Sequence, residues 1–128
     1  MLIRNGTYLG DCLVHCDEEI SVGPDAVAYS LTSRVPDARN PDVHAKGSPP
    51  PGVWESLTQA LDRDAVRALP ARIGLPDAAD AGGEYLEITD GETTTRVDFP
   101  RGASVPEVAP LLDALRELRA RLAADHRS

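Results

Sequence analysis

The chain has 128 residues, 41% of them hydrophobic and 27% charged, a size and balance that fit one domain with its own core and exclude a disordered segment. The formal net charge of −8 falls on residues 1–100, where 17 acidic side chains face 8 basic ones, and such a body repels nucleic-acid phosphates and anionic membrane surfaces. No apolar run approaches the ~20 residues of a membrane span, so neither nucleic acid nor a membrane span is expected.

The opening Met1-Leu2-Ile3-Arg4-Asn5-Gly6 lacks the basic start and apolar stretch of a signal peptide, which predicts a cytoplasmic protein whose two cysteines stay reduced. Residues 7–33 read as β-structure. A strand near residues 8–14 is expected from Tyr8, Leu9, Leu13 and Val14. A hairpin is expected where Ile20 and Val22 alternate with Glu19 and Ser21, Gly23-Pro24-Asp25 turns, and Val27, Tyr29 and Leu31 alternate again. Asp17-Glu18-Glu19 reads as a solvated turn or strand edge. Residues 34–52 carry Pro36, Pro41, Pro49, Pro50 and Pro51 among Asp, Asn, Gly and Ser, and are expected to form one long Pro-rich loop.

Trp54, Leu57 and Leu61 make one apolar face of a helix over residues 53–62, and Asp64 is placed to cap a further short turn that Pro70 stops. Trp54, the lone tryptophan, reads as core or as a partner anchor. After an irregular stretch over residues 71–83, Leu86 and Ile88 alternate with Tyr85 and Glu87. Asp90-Gly91 then turns, and the returning strand buries Val97 and Phe99. Val105, Val108, Leu111, Leu112, Leu115, Leu118 and Leu122 form an apolar stripe at helical spacing, with Ser104 and Glu107 as a capping box and Pro110 delaying regular helix to about Ala109. His126 is expected to be solvated in the tail. The predicted fold is a single α+β domain over residues 1–128, an antiparallel sheet of four or five strands with two main helices packed on one face.

Two segments gather chemistry-bearing residues. In Gly10-Asp11-Cys12-Leu13-Val14-His15-Cys16-Asp17, two thiols and an imidazole fall within five residues, and His44 in the Pro-rich loop could join Cys12, His15 and Cys16 as zinc ligands. In an extended strand the two cysteines would stand ~13 Å apart, so a metal site or a disulfide needs a bend, and two buried thiols are the alternative. Asp77, Asp80 and Glu84 could ligate calcium or serve acid–base chemistry, but their spacing does not match an EF-hand, and aspartates among Gly and Pro commonly bond nearby backbone. No Walker loop, dinucleotide fingerprint or nucleophile elbow occurs.

These motifs, in this order, resemble an uncharacterised family of small bacterial proteins. Its pattern opens with Gly-x-Cys-x-x-x-Cys, continues with a Trp-bearing helix and a Gly-Cys-Pro-Asp-Cys-Ala-Asp-Gly-Gly loop, and ends in a Leu/Arg helix. The matching pieces are Gly10 to Cys16, Trp54-Glu55-Ser56-Leu57, Gly74 to Glu84, and Leu112 to Leu122. The second cysteine pair of that pattern is Leu75 and Ala78 here. The resemblance implies a fold and a structural role for that lost pair, and no activity. The functional expectation is a non-enzymatic binding domain for a protein or small-molecule partner, contacted through the free sheet face or residues 34–52; the alternative is a zinc-binding or thiol-based protein centred on Cys12, His15 and Cys16.

Overall fold

A computed structural model describes residues 1–126. Six strands form one antiparallel sheet: β1 (Leu2–Tyr8), β2 (Asp17–Val22), β3 (Val27–Thr32), β4 (Val43–Gly47), β5 (Gly83–Asp90) and β6 (Thr93–Pro100), in the spatial order β4-β3-β2-β1-β5-β6. Three α-helices accompany it: α1 (Val53–Ala60), α2 (Arg63–Ala68) and α3 (Ala109–Asp125). The sheet is thus wider than the four or five strands expected, whereas the two main helices expected are α1 and α3, with the six-residue α2 as a shorter third among the described residues.

The registers sort the side chains into two faces. Ile3 lies opposite Val22 and Ile88, Asn5 opposite Ile20 and Leu86, and Thr7 opposite Glu18 and Glu84. Continuing outward, Tyr29 pairs with Ile20, and Val97 and Phe99 with Leu86 and Glu84. The apolar members of this face join Leu57 of α1, Val66 of α2 and Leu111, Leu112, Leu115 and Leu118 of α3 in one buried cluster. Removing such side chains from water contributes roughly 1.5–3 kcal/mol each, which is what holds helices to sheet. α3 crosses β1, β2 and β3, whereas α2 and the 3₁₀ turn Pro106–Val108 close over the β6 side.

The local signals decide where elements stop. Gly91 has φ 63° at the first position of a two-residue turn between Asp90 and Thr93, a conformation glycine adopts at little cost. Asp62, not Asp64, caps α2 by accepting from the Ala65 N–H at 3.0 Å. The capping box expected from Ser104 and Glu107 does not form: α3 starts at Ala109 without a side-chain cap, and Pro110 sits in the first turn, where a missing N–H costs nothing.

Three further expectations are corrected. The first strand is Leu2–Tyr8 and residues 9–16 are a loop. Residues 34–52 contain β4, whose helix-side positions Val43, Ala45 and Gly47 carry small side chains and give little alternation to read. Asp17, Glu18 and Glu19 belong to β2, a strand with neighbours on both sides. Trp54 is half-buried against the core cluster, and His126 stacks on Tyr29 with ring centroids 5.6 Å apart.

Candidate functional site

Antiparallel pairing brings four connections to one end of the sheet. Tyr8 pairs with Asp17, Asp17 with Thr32, Tyr8 with Gly83, and Gly83 with Pro100, so residues 9–16, 33–42, 71–82 and 101–105 all emerge there. The first three are tied to one another. The Leu13 carbonyl accepts the backbone N–H groups of Arg34 and Val35 at 3.0 and 3.1 Å. The Arg34 guanidinium donates to the carbonyls of Leu9 and Cys12 at 2.9 and 3.1 Å, and Ser33 Oγ accepts the His15 N–H at 2.8 Å. Asp77 accepts the N–H groups of Gly10 and Gly82 at 2.7 and 2.9 Å, joining the 71–82 loop to the first. A side chain at Gly10 would collide with that carboxylate.

This bracing leaves apolar side chains with no cover. Leu13 is 65% exposed, Val14 40%, Val35 56% and Leu75 72%; among the described residues these are the large hydrophobics open to water, and all four stand at this end. Isolated exposed hydrophobics are ordinary; these four share one end of the sheet, on loops tied by hydrogen bonds.

Cys12 and Cys16 are joined as a disulfide, with Cα atoms 5.6 Å apart. The bend this needs is supplied at His15, whose φ is 52°. Their sulfurs bond each other and are not thiolates available to zinc. His15 is exposed at the turn, while His44 stands on the helix-free side of β4, paired with Ser30, which neighbours Glu19 of β2. Counting three residues along and two strands across puts it roughly 14 Å from Cys16. The structure therefore does not bring Cys12, His15, Cys16 and His44 together, and among the described residues no three His, Cys, Asp or Glu side chains form a metal-holding group.

The acidic trio separates in the same way. Asp77 bonds loop backbone, Asp80 is exposed at φ 60°, and Glu84 is fully buried on β5 beneath α3. Arg116 donates to both Glu84 oxygens at 2.7 and 2.9 Å, Asn5 and the Gly102 N–H each donate at 3.0 Å, and Arg119 completes the shell while also meeting Asn5 and Glu18. Burial alone would push the Glu84 carboxyl up; the hydrogen bonds from Arg116, Asn5 and Gly102, with the Arg116 charge, outweigh it and hold the group below the usual glutamate range. Sequence reasoning missed this network. Its signals were Glu84 in period-two phase with Leu86 and Ile88, and Leu112, Arg116, Arg119 and Ala123 at helical spacing on one side of α3.

The helix-free face of the sheet is polar, and over β1, β5 and β6 its side chains pair with one another. The Tyr8 hydroxyl donates to Asp98 at 2.9 Å, the Tyr85 hydroxyl to Glu19, and Arg4 Nη1 to Glu87 at 3.1 Å. Arg96 bonds Asp98 while lying 4.0 Å above the centre of the Tyr85 ring. Burial and the Asp98 bond push the Tyr8 phenol up to about 12, and burial with the Glu19 bond raises Tyr85 further.

Among the described residues no helix is long and apolar enough to cross a membrane. No protein-family model and no curated protein matches the sequence, so the motif resemblance assigns no family.

Proposed function

We propose that this protein is a non-enzymatic binding domain that grips a protein partner with the loop end of its sheet. The observation that carries this reading is the display of Leu13, Val14, Val35 and Leu75 on loops braced by backbone hydrogen bonds. A braced loop loses little freedom on association, and these partly exposed side chains each gain a share of the roughly 1.5–3 kcal/mol of full burial, in proportion to the area still open. The exposed Leu13–Val14 turn, closed by the Cys12–Cys16 bond, suits a partner that offers an apolar recess. Glu84, the buried carboxylate, is fully occupied by Arg116, Asn5 and the Gly102 N–H, and the Tyr8 and Tyr85 hydroxyls are bonded to Asp98 and Glu19, which supports binding over turnover.

The test is a comparison of two variants in crosslinking from the source cell. Leu13→Asp/Val14→Asp should abolish a specific crosslinked partner while Lys46→Glu, on the opposite reach of the sheet, retains it. Equal retention by both variants, or loss in the Lys46 variant alone, sinks the loop-end reading.

A further inference from the structure

We propose that Cys12–Cys16 is an exchange-active disulfide, open to small-molecule and protein thiols, with Sγ of Cys12 as the atom attacked. The proposal stands apart from the contact surface described above and does not require it.

The two half-cystines differ in the way such chemistry needs. Cys16 is 3% exposed and its backbone is clamped on both sides: its N–H donates to the Thr32 carbonyl at 2.8 Å and its carbonyl accepts the Leu9 N–H at 3.0 Å. Cys12 is partly buried but more open than Cys16, lies outside every strand, and is held through its carbonyl by the Arg34 side chain at 3.1 Å. An attacking thiolate must reach one sulfur directly, so the open end of the bond is the one that reacts. Neither cysteine belongs to the core cluster, and the β1–β2 and β2–β3 registers begin at Asp17, beyond the bond. Breaking it therefore leaves the sheet in place, and the pair can close again.

The step is balanced with a thiol as co-reactant. A thiolate RS⁻ attacks Cys12 Sγ; the R–S–Sγ bond forms, the Cys12–Cys16 bond breaks, and the electron pair leaves on Cys16 Sγ, which takes a proton from water. A second thiolate attacks the R sulfur of the mixed disulfide and releases Cys12 as a thiolate, which is protonated. Two thiols are oxidised to RSSR and the protein cystine is reduced to two thiols; RSSR drives the reverse. A cystine that closes a four-residue separation and has one end more open than the other can join the labile and regulatory class.

The experiment uses the full chain in glutathione buffers without denaturant, read by differential alkylation and mass spectrometry. The expected results are reversible reduction by millimolar glutathione, unchanged amide protection in the strands, and alkylation of Cys12 roughly tenfold faster than Cys16 in the reduced protein. Cys16→Ser should trap a glutathione adduct on Cys12, whereas Cys12→Ser should stay unmodified. The proposal is overturned if the native bond resists glutathione that reduces the denatured chain, if Cys16 is alkylated as fast as Cys12, or if reduction unfolds the sheet. The wild-type alkylation rates decide even if neither variant folds.

Discussion

Glu84 and Arg116, 32 residues apart in sequence, meet in a two-bond fork at 2.7 and 2.9 Å between β5 and α3. This contact fixes the rotation and slide of the closing helix over the sheet, because the leucines around it would tolerate a shift that the fork does not. Glu84 has no solvent to fall back on, whereas Arg116 keeps some exposure. Replacing Glu84 by Ala takes from Arg116 the only carboxylate it meets among the described residues and leaves it the Ala103 carbonyl, while Arg119 keeps Glu18 and Asn5; the change should cost about 3 kcal/mol in urea unfolding, the low end for breaking a buried pair. Glu84→Leu with Arg116→Leu should recover much of that loss, since a buried pair is often matched by an apolar one. A Glu84→Ala protein of wild-type stability would show that the fork does not hold the helix.

The same carboxylate governs acid stability. Its folded pKa lies below its unfolded value, so its contribution is present above the unfolded pKa, roughly 4.3, and is lost as pH falls through the folded one. Asp98, held down against the upward push of burial by Arg96 and Tyr8, acts with the same sign. Unfolding free energy should therefore fall on acidification from pH 5 downwards, and fall less steeply in Glu84→Gln. Parallel pH profiles for the two proteins would remove Glu84 as the cause.

Two glycines floor the helix-free face beneath tyrosine rings. The three atoms nearest a Cβ at Gly83 all belong to the Tyr8 side chain; one at Gly6 would meet both the Tyr85 hydroxyl and the Glu18 carbonyl, the latter at 2.6 Å. Gly83→Ala and Gly6→Ala should each cost about 1–3 kcal/mol as overpacking. Their rescue should differ: Tyr8→Ala removes the obstacle at Gly83, whereas Tyr85→Ala leaves the backbone carbonyl against a Cβ at Gly6. Thermal melts of the four single and two paired variants separate the cases, and equal rescue at both positions contradicts the geometry.

What could be read in advance follows from where apolar alternation survives. Ile20, Val22, Val27 and Tyr29, then Leu86, Ile88, Val97 and Phe99, carry period two openly, and both hairpins were legible; so was the leucine stripe of α3. β1 was displaced because its core-facing residues after Ile3 are Asn5 and Thr7, polar side chains that sit inside only because partners elsewhere in the chain satisfy them. β4 was hidden by small side chains between prolines. The bend that closes Cys12 onto Cys16 depends on His15 at positive φ, a conformation no local signal announces. Glu84 looked like a loop ligand because its partners, Asn5 and Arg116, lie 79 and 32 residues away.

At the alkaline end the tyrosines reverse the sign. Tyr8 ionises at about 12 in the folded protein, because burial and then the Asp98 carboxylate, as hydrogen-bond acceptor and as charge, oppose the phenolate. An unfolded tyrosine ionises near 10. Below pH 10 both states hold the proton and the stabilisation is complete. Between about 10 and 12 only the unfolded chain releases it, so stability declines as pH rises through that window. Tyr8→Phe should cost about 1 kcal/mol at neutral pH, since Asp98 keeps its Arg96 partner and no buried acceptor is stranded. It should also flatten the alkaline decline by the share of one proton, leaving the part that Tyr85 contributes. Urea unfolding at several pH values from neutral to strongly alkaline, run on both proteins, measures the difference in slope; identical slopes would mean that the Tyr8 phenol is not held protonated by the fold.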